Sequence, residues 1–219
     1  GLVVNADYTF NMYNKGSNQH VQRFLEYKAV AGTEGYYPWT NPSSVVMANN
    51  EDYYTSFNAF AEYTKSFNDN THNFKVMAGY NQEYKHTKYF WSGRTNLIDD
   101  SKPALNQAIG EMNMGYNESH WAINGFFFRL NYNYKQRYLF EVNGRYDGSS
   151  KFPDGDRYAF FPSVSAAWRI SEEAFWEPVK GWWDDMKIRA SYGSLGNQQT
   201  TDDMGNFPYL PQYGVTSSM

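Results

Sequence analysis

This chain is expected to be all-β and antiparallel, on three grounds. Eight stretches put apolar or aromatic residues at every second position with polar or charged residues between them, the period of a strand with one dry face. Clusters of Asn, Asp, Gly and Ser fall between several of these stretches, as hairpin turns require. Rings dominate the apolar set, with 20 Tyr, 16 Phe and 7 Trp in 219 residues. Rings suit a pleated surface, and those of Tyr and Trp end in a polar tip that favours a boundary between water and an apolar medium.

Taken in order, the first stretch sets Val4, Ala6, Tyr8, Phe10 and Met12 against Asn5, Asp7, Thr9 and Asn11. The second, about 20–29, alternates poorly. The third, about 52–65, shows Tyr53, Thr55, Phe57, Ala59, Ala61 and Tyr63 on one face and Ser56, Asn58, Glu62 and Thr64 on the other. After the turn residues Asn68-Asp69-Asn70, the fourth opposes Phe74, Val76, Ala78 and Tyr80 to Asn73, Lys75, Asn81 and Glu83, which makes the two a tight hairpin. The fifth, about 119–134, sets Phe128, Leu130, Tyr132 and Tyr134 against Arg129, Asn131 and Asn133. The sixth, 138–147, follows at once, with Tyr138, Phe140, Val142 and Tyr146 opposed to Glu141, Asn143, Arg145 and Asp147. The seventh, 158–170, opposes Phe160, Val164, Ala166 and Trp168 to Ser163, Ser165 and Arg169, and the eighth, 186–194, opposes Ile188, Ala190 and Tyr192 to Lys187, Arg189 and Ser191.

The connections alternate in length: 13–19, 68–71, 135–137 and 171–185 on one side, against 30–51, 89–118, 148–157 and 195–219 on the other. Strands running up and down would gather the longer loops on one rim, the layout of a transmembrane β-barrel with short turns at one end and long loops at the other. Charge placement agrees, since Asp7, Glu62, Lys75, Arg129, Glu141, Arg169, Lys187 and Arg189 all fall on the polar face of their strands, whereas Lys65, at a strand end, does not. Tyr134, Tyr138, Trp168, Phe175, Trp176, Trp182 and Trp183 gather near one end of the last four strands, as an aromatic belt at a headgroup boundary would. A soluble sandwich would segregate its charges in the same way, so the rival is a β-rich carbohydrate-binding module or glycoside hydrolase.

A formal net charge of -4 with no basic cluster argues against a nucleic-acid partner. The absence of cysteine removes disulfides and thiol chemistry. His20, His72, His86 and His120 show no zinc spacing, and Asp154-Gly155-Asp156 lacks the later ligands of a calcium loop. Gly193-Ser194-Leu195-Gly196 has no helix to make a phosphate cradle. The carboxylate pairs Asp99-Asp100, Glu172-Glu173, Asp184-Asp185 and Asp202-Asp203 lie in expected loops, where solvated charge is the ordinary account. No catalytic residue, metal or cofactor is expected, and the chain is read as a non-enzyme.

The stretch Arg145-Tyr146-Asp147-Gly148-Ser149-Ser150-Lys151-Phe152, followed by Phe161-Pro162-Ser163-Val164-Ser165-Ala166-Ala167-Trp168-Arg169-Ile170-Ser171-Glu172-Glu173, by Lys187-Ile188-Arg189-Ala190-Ser191-Tyr192-Gly193 and by Gly196-Asn197-Gln198, closely resembles the SusC/RagA-like TonB-dependent outer-membrane transporters. The resemblance covers about residues 129–198. It implies the outer membrane of a diderm bacterium, with the Asp-Gly-Ser-Ser loop facing outside and the Ser-Glu-Glu turn facing the periplasm. It further implies uptake of oligosaccharides or peptides, a SusD-like surface lipoprotein as lid, energy from the TonB complex through a plug, and contact with lipid and lipopolysaccharide. No signal peptide, plug domain or closing C-terminal strand is visible, so residues 1–219 are expected to be a partial barrel of about eight strands, cut from a larger β-barrel domain and exposing a sheet edge at each side. A passive porin or structural surface barrel is the other membrane reading. Tyr36, Tyr37 and Trp39 in one expected loop, and Tyr89, Phe90 and Trp91 at the start of another, are the candidates for stacking on sugar rings or packing against the lid, with plain loop packing as the competing account.

Overall fold

Alternating sequences of this kind satisfy their backbone by pairing with neighbours along the chain, and they do so here. The computed structural model describes residues 1–27, 34–197 and 206–211. Its strands are β1 (Leu2–Val21), β2 (Leu25–Tyr27), β3 (Glu34–Tyr36), β4 (Ser44–Phe67), β5 (His72–Thr95), β6 (Met112–Tyr134), β7 (Tyr138–Ser149), β8 (Tyr158–Arg169) and β9 (Lys187–Gly193). Seven of them form one sheet in the order β1-β4-β5-β6-β7-β8-β9, and β2 pairs with β3 in a separate antiparallel hairpin. Apart from the inserted hairpin, sequential strands are spatial neighbours, which is the up-and-down topology expected. Among the described residues no helix is long and apolar enough to cross a membrane.

The structure corrects several boundaries. Residues 13–19, expected as a turn, lie inside β1, and the expected second strand is split: its residues 20 and 21 end β1, Leu25–Tyr27 form β2, and 28 and 29 lie outside the described residues. β4 and β5 each run 24 residues, well beyond the stretches that alternate cleanly. Only ~9–11 residues are needed to cross a bilayer at a tilt, so an apolar period is required over less than half of such a strand. Beyond it both faces can be wet, and the periodic signal fades.

The chain divides into two compact units, residues 1–10, 55–84 and 121–219, and residues 11–54 and 85–120. In the first unit the antiparallel register stacks like on like. Leu130 pairs with Val142, Val142 with Val164 and Val164 with Tyr192, while Tyr134, Tyr138, Trp168 and Ile188 form a second apolar row. The opposite face carries the rows Arg129–Asn143–Ser163 and Asn131–Glu141–Ser165–Ser191. Rings on the apolar face contact one another across strands: Phe74 and Tyr132 lie 4.6 Å apart, and Tyr132 and Phe140 stack at 6.4 Å. Among the described residues nothing covers this face, since Phe140, Val142, Val164, Trp168 and Ile188 are all exposed. A soluble sandwich would have enclosed them.

The tight turn after β6 places Lys135 and Gln136 at φ 49° and 57°, and Asn68, Asp69 and Asn70 after β4 also have positive φ. Asn and Asp tolerate this region through local hydrogen bonds, whereas Lys and Gln carry the steric cost of Cβ against carbonyl. The amide of Lys135 donates to the carbonyl of Thr71 at 2.7 Å and that of Arg169 to Arg137 at 2.8 Å, so the turn ends of these strands are laced side by side.

The second unit holds the small hydrophobic core, formed by Val45, Leu97 and Ala108 with Leu105 packed against them. Ser43, fully buried, receives the amide of Leu97 at 3.0 Å. Arg23 donates Nε to Asp100 at 2.9 Å and Nη2 to the carbonyl of Leu97 at 3.2 Å. Nothing in the alternating pattern announced this cluster, because apart from Val45 at the start of β4 it is built by residues outside the sheet that share no period.

Candidate functional site

The polar face of the first unit carries hydrogen-bonded or ion-paired groups rather than a row of independent charges. Arg129 donates to Asn143 at 2.7 Å, and Asn143 donates to Glu141 at 2.9 Å and to Ser163 at 3.2 Å. Lys75 pairs with Glu62 at 2.9 Å, Asn58 donates to Asp7 at 3.0 Å, and Asn81 donates to Asn58. Toward the turn ends lies a groove of about 400 Å³ that Lys75 and Glu141 of these residues reach, with Asn73, Asn131, Asn133, Lys187 and Arg189 and, from the rings, Phe74 and Tyr132 also lining it. Oδ1 of Asn133 is buried without a hydrogen-bond partner. An orphaned acceptor costs on the order of 1–3 kcal/mol, so this wall is suited to a polar surface or solute that brings donors.

The aromatic candidates separate into two kinds. Tyr36 closes β3 with the Arg23 guanidinium 5.8 Å above its ring. Tyr37 accepts from the amide and hydroxyl of Thr40, and Trp39 sits in the short 3-10 turn Pro38–Thr40 with 86% of its surface exposed. Tyr89, Phe90 and Trp91 are not in a loop, as expected from sequence, but inside β5. Alternation then turns Phe90 to the face opposite Tyr89 and Trp91. Trp91 lies against Gly115 on β6, where its indole occupies the space a side chain would take. Tyr89 lines a hollow of about 370 Å³ with Lys15, Ser17, Ala48 and Asn50. Lys15 and Ser17 were missed because their segment was read as a turn. Their polar, small-residue composition carries no strand period.

The carboxylate pairs are structural rather than merely solvated. Asp100 is held below the ordinary carboxylate range first by the hydrogen bond from Arg23. Glu173, in the β8–β9 connection, accepts from the Tyr138 hydroxyl at 2.7 Å, from Trp168 Nε1 at 3.1 Å and from Arg137 at 3.1 Å. The Tyr138 hydroxyl, then the indole of Trp168, keep its carboxylate below the usual glutamate range. Asp185 accepts from Ser171 at 3.0 Å and Asp184 from the amide of Gly181 at 2.7 Å, while Asp202, Asp203 and Gln198 lie outside the described residues. Around Glu173 the rings form the expected belt: Tyr138 stacks on Trp168 at 6.5 Å, Trp168 meets Phe175 edge-on at 6.4 Å, and Trp176 meets Trp183 at 5.8 Å. His86 pairs with Glu118 at 2.5 Å and His72 with the Tyr132 hydroxyl at 2.9 Å. Among the described residues no group of three His, Asp or Glu side chains is placed to hold a metal ion.

Comparison with known proteins places these features in a family. Residues 2–217 match the family model for the TonB dependent receptor-like β-barrel. The chain is 32% identical over 187 residues to the TonB-dependent receptor SusC of Bacteroides thetaiotaomicron, covering 83% of this chain and 17% of that protein. It is 51% identical over 103 residues to the TonB-dependent receptor P26 of Formosa agariphila, covering 47% of this chain and 10% of the relative. Among solved structures, the RagAB peptide transporter superposes with a TM-score of 0.81 at 21% identity over 94% of this chain and 22% of that one. The RagAB peptide importer in its open-open state gives 0.82 at 21% identity, over 99% and 22%. The chain thus spans less than a quarter of the length of the proteins it matches.

Proposed function

This chain belongs to the TonB-dependent receptor-like β-barrel family of outer-membrane proteins, and from that premise we propose that it is part of the barrel wall of a SusC/RagA-like importer, taking up oligosaccharides or peptides with energy delivered by the TonB complex. The observation that carries the reading is the division of one sheet into two unlike faces. One is charged, hydrogen-bonded and grooved, and the other is apolar, uncovered and rimmed with rings. A wall between an aqueous lumen and hydrocarbon needs both. In this reading residues 1–219 belong wholly to the barrel domain, and plug and remaining strands are contributed by other parts of a longer polypeptide. The chain itself performs no bond chemistry.

The rim that carries the connections 22–43 and 96–111 faces outside, where a SusD-like lipoprotein closes over the lumen. Trp39, Tyr36 and Tyr37 supply ring surface to that lid or to a bound sugar or peptide, and Tyr89 with Lys15 and Asn50 offers a stacking face beside hydrogen-bonding groups within the wall. Phe90 and Trp91 serve packing. Lipid and lipopolysaccharide cover the apolar side.

The test is uptake by cells expressing the full-length protein from its own operon, using labelled oligosaccharides and labelled peptides in parallel, with and without TonB. Uptake of one class that stops when TonB is deleted supports the proposal. Uptake that continues without TonB would make the protein a passive porin, and recovery in the detergent-free soluble fraction would return it to a soluble binding module.

A further inference from the structure

The apolar face of the first unit is not level. Ala59 and Ala61 on β4 and Ala78 on β5 occupy alternate positions where the neighbouring apolar residues are Phe57, Tyr63, Val76 and Tyr80, while the space over Gly144 on β7 is taken by the rings of Phe128 and Phe160. Beside the rings these alanines leave a furrow of about 620 Å³. Tyr80 and Phe126, whose rings meet at 5.0 Å, form its wall, with Phe128, Tyr146 and Phe160 continuing the lining on the other strands. No charged side chain lines it. The hydroxyl of Tyr80 donates to Gln82 at 3.2 Å, which satisfies it outside the furrow.

We propose that this furrow seats a single acyl chain of an outer-membrane lipid, held as a fixed ligand rather than exchanged as bulk solvent. Family membership puts hydrocarbon against this face, so the occupant is whatever hydrocarbon best fills the space. A methylene chain laid along the alanines touches protein on its floor and along the ring wall beside it, whereas one on the level surface around Val142 and Val164 touches it on one side. An empty furrow would leave its lining atoms without partners, and a gap of even 0.5–1 Å forfeits about a quarter to a half of each pairwise attraction. A head group is excluded by the lack of any charged partner in the lining. The site therefore takes a hydrocarbon chain and is indifferent to the head group carrying it.

The experiment uses the full-length protein in nanodiscs containing phospholipid with a nitroxide near the acyl-chain terminus, and measures the motionally restricted component by electron paramagnetic resonance. The double variant Ala61→Phe/Ala78→Phe fills the furrow, and Leu130→Phe adds comparable ring surface to the same face outside it. The expected result is loss of restricted signal in the filled variant and none in the Leu130→Phe control. Equal restricted signal in all three proteins would overturn the proposal. Because the filled variant could fail to assemble, the unaltered protein is also labelled with a phospholipid bearing a photoreactive group in its chain. Labelling concentrated on Ala59, Ala61 and Ala78 supports a seated chain, and labelling spread evenly over Val142, Val164 and Ile188 overturns it. Disulfide capture of two copies through Ala78→Cys would assign the furrow to a protein contact instead.

Discussion

Placing a positive charge at Val164 should separate the two faces of the sheet more sharply than any other single change. Val164 lies opposite Val142 on β7 and Tyr192 on β9, with 48% of its surface exposed on the apolar side. It stands midway along β8 between the rings of Phe160 and Trp168. Four residues at ~3.3 Å each, tilted by ~45°, put it about 9 Å from either ring along the bilayer normal, close to the midplane. An Arg on the lipid face at that depth costs about 2–4 kcal/mol, which is roughly a 30- to 700-fold loss in the folding equilibrium at about 1.4 kcal/mol per tenfold. The comparison is Ser163→Arg, one residue away on the polar face. There the change forfeits one hydrogen bond, from Asn143 at 3.2 Å, worth about 0.5–1.5 kcal/mol, and the guanidinium enters water. Reversible urea unfolding of the full-length protein in phospholipid vesicles, followed by heat-modifiable gel mobility, gives both values. If Val164→Arg costs no more than Ser163→Arg, the apolar face does not meet hydrocarbon and the reasoning fails.

Replacing Glu173 by Gln removes the charge that three donors share, and limited proteolysis should then cut within 174–186 faster than in the unaltered protein. Because the Glu173 carboxylate titrates below its ordinary range in the folded chain, these contacts are complete above the ordinary glutamate value and are lost as pH falls through the lowered one. Acidification should therefore shift Trp168 fluorescence in the native protein and leave the Gln variant without that step. Asp100→Asn weakens the hold on Arg23, and hydrogen exchange at 96–111 should speed up without change in β7 or β8. Gly79→Val drives a side chain toward Phe127, the Cβ of Phe60 and the carbonyl of Ala59. The backbone oxygen cannot swing aside, so a loss of about 1–3 kcal/mol in unfolding free energy is expected.

β7, β8 and β9 were legible to within a residue or two, whereas β4 and β6 begin seven or eight residues before the expected stretches. β7 and β8 begin at Tyr138 and Tyr158 as expected, and their facing residues pair in the register that the alternation implies. What escaped was structure with no apolar face to advertise. The end of β1 runs through Asn14, Lys15, Gly16, Ser17, Asn18 and Gln19, where polar residues follow one another and Gly and Ser read as a turn. β5 continues through Tyr89, Phe90 and Trp91, three rings in a row that no period-2 template accepts as a strand. The Arg23–Asp100 and Leu97–Ser43 hydrogen bonds join residues far apart in the chain, and neither spacing nor composition relates them. For the site, the charged face was visible as the polar half of the alternation, but the groove near Asn133 depends on which side chains pair, and that is decided by register.

Among the described residues the sheet ends at β1 on one side and β9 on the other, so each offers a backbone edge to whichever strand pairs next. Until that strand arrives, such an edge would recruit any extended peptide it met, including another copy of the same protein. Chaperone escort must outlast the interval before closure, and slow delivery to the membrane would select against long-lived half-built sheets. The ring-bearing turns at the laced end, already tied by Glu173, would then be the first part steady enough to be handed over.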